Sequence, residues 1–376
     1  MGRKLVLRNN QQRRSRRYNL FKALLVILLT ISIISTSYYS KSIQSSSALN
    51  LRAKNNGERC ALLFFGLIKD SFQTLSLPSI QRNILQPNSH CDIFLHTYNL
   101  TDTPVNSRNV ELTVHKLNIS QVYLLTTHEK LVLEPMDSFE RKRNEVLERT
   151  RKFSHRAWGK CCDSHDNMIK QWNSIQGVWD LMQQYEQKQL NGNHHYNING
   201  DGDGSGSGSG SGSGEEHKIP KKMTSNYYHQ VGLFRSDVYY TRPIHIFDSK
   251  AAIPNFAHYR GYNDRLFYGS YNNAKIWASQ RFNFVNIFEE QYMKPYVYKS
   301  KEKNGYHSEA FVKSLMNHHR VRVELKDHCV WRVRNGEKIW AGDCDGMEGF
   351  SKFSDVKLYR PLRNESGDAW SLVVGY

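Results

Sequence analysis

Acidic residues are missing from the first 22 positions, which hold eight Lys or Arg: Arg3, Lys4, Arg8, Arg13, Arg14, Arg16, Arg17 and Lys22. C-x-x-C spacing is missing too, so the six cysteines form no zinc-ligand pattern. No D-x-D pair stands at a predicted strand end; the two literal matches lie elsewhere. Asp201-Gly202-Asp203 falls inside a Gly/Ser repeat, and Asp343-Cys344-Asp345 surrounds a cysteine in a turn-like GDCDG. His194-His195 and His318-His319 lack the spacing of metal ligands.

Beyond the basic segment the chain turns apolar, densely so from Ala23 to Ile34 and then on to Tyr39. Taken from Tyr18 to Tyr39, the stretch reaches the roughly 20 residues that cross a bilayer. The excess of positive charge keeps the amino end cytosolic and sends the rest of the chain into the lumen. The expected organisation is a cytosolic basic tail 1–19, a transmembrane signal-anchor 20–40, a stem 41–58 and a lumenal domain 59–376. A cleaved signal peptide is the alternative, with Ser46-Ser47-Ala48 as a tolerable cleavage site. The continuous apolar run, which is not amphipathic, argues against a mitochondrial presequence.

Of the net +17, the tail accounts for eight charges, and the part beyond residue 40 carries 44 basic against 35 acidic residues. A basic lumenal domain favours phosphates or acidic glycans, or is a solvated surface. Nucleic acid is not expected beyond a membrane. All six cysteines (Cys60, Cys91, Cys161, Cys162, Cys329 and Cys344) fall in this part, and an oxidising compartment allows up to three disulfides. The adjacent Cys161 and Cys162 are expected to bond different partners. Sequons at Asn99, Asn118 and Asn364 agree with the secretory route.

Apolar patterning gives a strand at Cys60 to Ile68, a helix at Ser76 to Leu85, and strands at Asp92 to Tyr98 and Val110 to Leu117. Helices follow at Ser138 to Lys152 and Asn167 to Gln189, then a strand from Tyr228 to Tyr240. Residues 191–222 centre on a Gly/Ser repeat that cannot bury apolar area, and read as a disordered insertion in one large domain. The fold class expected is α/β, a mainly parallel sheet with helices on both faces, ligands sitting at the carboxyl ends of its strands.

Three fragments carry the candidate chemistry. Arg235-Ser236-Asp237 lies within the apolar strand, where a period of two puts Arg235 and Asp237 on one face and Ser236 on the other. A carboxylate there can hold a ribose hydroxyl or a divalent ion, and a cation offsets phosphate charge. A plain structural ion pair is the competing interpretation. Asn263-Asp264-Arg265 precedes a turn, where Asp264 binds hydroxyls, acts as a base, or forms an Asx turn. Glu309 opens a helix, Ser308 to Met316, as a sugar-contacting carboxylate or a charge favoured by that terminus. Gly66 and Lys69, just past the first strand, are placed to approach a phosphate. His96 reads as a satisfied core histidine.

The ordered series CALLFFGLIKDS, CDIFLHTYN, MIKQWNSIQGVWDLMQQYE, VGLFRSDVYY, GYNDRLFYGS and YHSEAFVKSL resembles glycosyltransferase-like lumenal domains of type II membrane proteins, including algal and protist members. The resemblance implies a GT-A-like (Rossmann-like) fold and Golgi transfer of a sugar from a nucleotide-sugar to a glycan or glycoprotein acceptor. It places Asp237 near the usual metal-binding acid, with Mn²⁺ or Mg²⁺ as the ion. Gly66, Lys69, Arg235, Asp237 and Arg265 would bind the donor, and Asp264 and Glu309 would be catalytic. Lys69 stands where the pattern has Arg, Ser236 and Ser308 where it has Pro, and Tyr98 where it has Trp. A lumenal sulfotransferase using the Lys69 to Thr74 loop, and an inactive glycan-binding domain, are the other expectations.

Overall fold

The computed structural model describes residues 58–68, 72–99, 104–105, 113–114, 119–151, 163–192, 226–259, 261–293, 306–334, 338–340, 344, 362–363 and 370–371. The expected anchor 20–40, Lys69, Cys161, Cys162 and nearly all of 191–222 lie outside these residues. Among the described residues no helix is long and apolar enough to cross a membrane.

The run CALLFF forms β1 (Cys60–Phe65), buried at every position. An unbroken apolar strand of this kind needs cover on both faces, and it takes the centre of a sheet. Its parallel neighbours are β2 (Asp92–Asn99) on one side and β6 (Gln230–Arg235) on the other. Beyond β2 lies β5 (Leu131–Pro135), also parallel. Past β6 come β9 (Leu266–Ser270), antiparallel, then β8 (Ala251–Pro254) and β10 (Glu324–Lys326). The third strand of the parallel half is therefore 131–135. Of the expected strand Val110 to Leu117, the described part is a two-residue β4 (Thr113–Val114), paired with β3 (Pro104–Val105) outside the main sheet.

Alternation along β1 divides the core. Leu62 and Phe64 face a helical segment, 72–88, whose middle turn is α1 (Leu77–Ile80). Leu63 and Phe65 face the opposite side with Ile175, Val178, Trp179 and Met182. Those four belong to α4 (Asp163–Gly192), which follows α2 (Ile119–Tyr123) and α3 (Met136–Arg151). The stripe expected for 167–189 is thus the buried face of α4, and each large apolar side chain in it contributes about 1.5–3 kcal/mol on burial. On the same side are α5 (Tyr271–Ser279), α6 (Arg281–Phe288) and α7 (Ser308–His318). The mixed α/β architecture with a mostly parallel sheet is as the pattern implied.

The strand expected from Tyr228 to Tyr240 is not continuous. It breaks at Ser236-Asp237, and β7 (Val238–Tyr240) leaves for a second sheet with β11 (Val330–Arg334) and β12 (Lys338–Trp340). The break is built from hydrogen bonds. The Tyr240 hydroxyl donates to the Arg235 carbonyl (2.7 Å), and the Val333 amide donates to the Asp237 carbonyl (3.2 Å). One disulfide, Cys329–Cys344, closes on the start of β11; another, Cys60–Cys91, ties β1 to the entrance of β2.

Candidate functional site

Strand order locates the site. The chain leaves β1 outward to β2 and β5, then returns on the other flank as β6. In open α/β sheets such a reversal opens a crevice at the carboxyl ends of the two strands. Here those ends are Phe65-Gly66 and Arg235-Ser236-Asp237, with Phe65 and Arg235 in direct register.

Gly66 has φ of 100°, a conformation that other residues adopt only under strain. Its amide donates to Ser174 Oγ on α4 (2.9 Å). Ser236, in the break between β6 and β7, is fully buried. Its amide and hydroxyl donate to the Phe65 carbonyl, at 2.9 and 3.1 Å, which seals the back of the crevice. Arg235 and Asp237 turn the other way and meet each other. Nε donates to Oδ1 at 2.7 Å and Nη2 to Oδ2 at 2.9 Å, with the side chains 24% and 7% exposed. Burial works against the Arg235 charge, but Asp237 and then Asp264 hold its pKa above the usual value.

The reversed direction of β9 brings in the second fragment. Because β9 runs antiparallel to β6, its first residues arrive at the carboxyl end of β6, where the Arg235 amide donates to the Arg265 carbonyl (3.2 Å). Asn263 makes the Asx turn that Asp264 was a candidate for, its Oδ1 accepting from the Arg265 amide at 2.9 Å. The Asp264 carboxylate is thereby free for the crevice. Gln171 on α4 bridges the fragments: Arg235 Nη1 donates to its Oε1 (3.3 Å), and its Nε2 donates to Asp264 Oδ2 (3.2 Å). Ser308 Oγ completes the link, donating to the same Asp264 oxygen.

Glu309 is the third element. The Tyr262 amide donates to its carbonyl at 2.9 Å, locking the first turn of α7 beside Asp264. Burial, and then the negative charge of Asp264, raise the Glu309 pKa, while His307 with Nδ1 at 3.0 Å from Oε2 pulls the other way. Arg265, expected to face a donor, is instead buried with its guanidinium 5.1 Å from the centre of the Phe256 ring.

The fragment His307-Ser308-Glu309 stood out in the sequence with a role for Glu309 alone, and Gln171 and Arg281 were missed as members of this group. Gln171 flanks the apolar stripe next to Trp172, which is the one signal that could have aimed it inward. Arg281 opens a helix and gave no signal, yet it is fully buried. Its Nε donates to the Trp277 carbonyl (3.0 Å), its guanidinium lies 4.2 Å from the centre of the Trp277 ring, and both Nη atoms are without a hydrogen-bond partner among the described residues. Burial pulls its pKa down to about 9, and Asp264 opposes that.

Divalent-ion binding fits these side chains poorly. Both Asp237 oxygens are taken by Arg235, so an ion would have to displace the guanidinium. The described cluster with metal-ligand spacing, Cys60, His90 and Cys91, contains the two sulfurs of a disulfide. Elsewhere, His96 is a satisfied core residue as expected, between Ser174 Oγ and Glu134 Oε2, both at 3.0 Å. A cavity of about 270 Å³ lined by Gln81, Leu85, Gln86, Asn88, Ser89, Cys91 and Ile93 lies at the amino end of β2, the wrong end for the crevice. No protein-family model matches the chain, and no curated protein matches its sequence.

Proposed function

We propose that this protein is a membrane-anchored glycosyltransferase of the Golgi type, with a GT-A-like domain. It moves a sugar from a nucleotide-sugar to a hydroxyl of a glycan or glycoprotein. One observation carries the reading. A cation–carboxylate pair at the topological switch point is wired through Gln171 to a second carboxylate, Asp264, which lies beside a third, Glu309. Three segments far apart in sequence converge there. A structural ion pair alone needs only the first.

In this reading the donor diphosphate lies over the carboxyl ends of β1 and β6. The partly exposed Arg235 guanidinium offsets its charge, and the unhindered backbone at Gly66 allows close approach. The acceptor hydroxyl attacks the anomeric carbon as the bond from that carbon to the diphosphate oxygen breaks. Its proton passes to Glu309, which burial and the neighbouring Asp264 make more basic than an ordinary carboxylate. Asp264, held by Gln171 and Ser308, orients the acceptor side. A divalent ion, if one were bound, would stabilise the departing diphosphate; no step depends on it.

The full chain is tested by thermal shift against UDP, GDP and phosphoadenosine phosphate, with and without Mn²⁺. A ligand that binds the folded state alone raises apparent stability by mass action. Stabilisation by UDP or GDP that disappears in Arg235→Met supports the reading. A shift with phosphoadenosine phosphate alone reassigns the protein as a sulfotransferase, and silence with all three removes the donor site.

A further inference from the structure

The loop between β8 and β9 holds two residues in the left-handed region, Ala257 (φ 47°) and Tyr259 (φ 41°). Bulky L-residues adopt this conformation rarely, and Gly or Asn suits it far better. Tyr259 nevertheless stands there with its surface 48% exposed. Neither backbone preference nor complete burial selects tyrosine at this position.

The surrounding loop is fixed on both flanks. The Asn255 amide donates to the Lys326 carbonyl (2.7 Å), and Asn263 Nδ2 donates to the Phe256 carbonyl (2.9 Å). The Gly261 amide closes a turn onto the His258 carbonyl (2.6 Å). Gly261 itself lies so close to α7 that a Cβ would fall inside the Glu309 peptide group. The backbone that carries Tyr259 is therefore held at a set place relative to Glu309. Its centroid is 5.9 Å from the His307 ring, tilted by 56°, and His307 in turn touches Glu309. The side chains of His307 and Glu309 are 26% and 15% exposed, and Ser308 between them donates to Asp264.

We infer that Tyr259, His307 and Glu309 form a subsite for a neutral pyranose, whose apolar face stacks on the Tyr259 ring while its hydroxyls turn to His307 and Glu309. A pyranose has one face rich in C–H groups and a rim of hydroxyls, which matches an exposed ring beside an imidazole and a carboxylate. Identifying this sugar as the acceptor rests on the transferase reading. The subsite itself does not.

Saturation-transfer NMR on the full chain tests it, with methyl β-galactopyranoside, methyl α-mannopyranoside and methyl N-acetyl-β-glucosaminide as separate probes. The variants are Tyr259→Phe, which keeps the ring, and Tyr259→Asn, which removes it and still tolerates the left-handed backbone. The expected result is saturation of ring protons of at least one glycoside with the natural protein and with Tyr259→Phe. In Tyr259→Asn it falls by about threefold or more, the loss of one stacking contact, while the UDP or GDP shift persists. Equal saturation in Tyr259→Asn, or none with any glycoside in the natural protein, overturns the subsite. A nucleotide shift without sugar saturation refutes the subsite alone. Sugar saturation lost in Tyr259→Asn, with no nucleotide shift in any variant, upholds the subsite and removes the transferase reading.

Discussion

The Arg235–Asp237 pair can be weighed by a double-mutant cycle using Arg235→Met, Asp237→Asn and the combination. A fully exposed pair is worth about 0–1 kcal/mol, whereas breaking a buried one costs about 3–5 kcal/mol. This pair lies between, with the carboxylate nearly buried and about a quarter of the Arg235 side chain in water. Two parallel charge-assisted hydrogen bonds at 2.7 and 2.9 Å place it toward the stronger end. Unit charges about 4 Å apart at an effective dielectric of 20 attract by about 4 kcal/mol, and desolvation of Asp237 removes roughly half. We expect a coupling energy of about 2 kcal/mol, from urea unfolding followed by tryptophan fluorescence at neutral pH. Arg235→Met should be the costlier single change, because it leaves the less exposed partner uncompensated. In thermal unfolding the coupling corresponds to a shift of about 4 °C, taking about 2 °C per kcal/mol for a large domain. Salt up to 0.5 M should change the coupling little, since the carboxylate is shielded from solvent ions. A coupling under about 0.5 kcal/mol would mean a solvated surface contact, and the preformed donor-side charge pair would have to be abandoned.

Other consequences are open to direct measurement. The raised Glu309 pKa means that its protonated form favours folding at low pH, an advantage lost as pH rises through the folded-state value. Glu309→Gln should therefore gain stability relative to the natural protein as pH rises above the ordinary carboxylate range, in urea titrations from pH 4 to pH 8; a pH-independent difference would show that the carboxyl does not titrate as described. His165 is buried against the Thr150 hydroxyl (2.6 Å), and burial lowers its pKa to about 4. Its contribution is present above the unfolded-state value near 6.5 and disappears as pH falls toward 4, on the order of 3 kcal/mol, so His165→Gln should flatten that acid limb. Gly261→Ala should cost about 1–3 kcal/mol or more by urea unfolding, because the new Cβ meets backbone of α7 and no flexible side chain. Removing Cys60–Cys91 by paired serine substitution should cost about 4 kcal/mol, from closure of a 31-residue separation; a loss under 1 kcal/mol would mean that the bridge does not constrain the unfolded chain.

Periodicity and composition determined much of this protein without coordinates. The unbroken apolar run of β1 required a strand covered on both sides, and the stripe from Met168 to Met182 required a helix with one buried face. Acid and base at Arg235 and Asp237, and carboxylates at Asp264 and Glu309, were marked by charge in otherwise apolar or turn-like settings. Such signals are local, and local sequence reports local environment. Whether an Arg at the head of a helix faces water or, like Arg281, is fully buried depends on which elements pack around it. The break after Arg235 likewise depended on Tyr240 and Val333, the latter about a hundred positions away. Tertiary structure alone decided that β9 runs backward, and that reversal carries Asp264 to the end of β6, where Gln171 and Ser308 can hold it. The sequence named the charges; strand direction and long-range packing chose which of them meet.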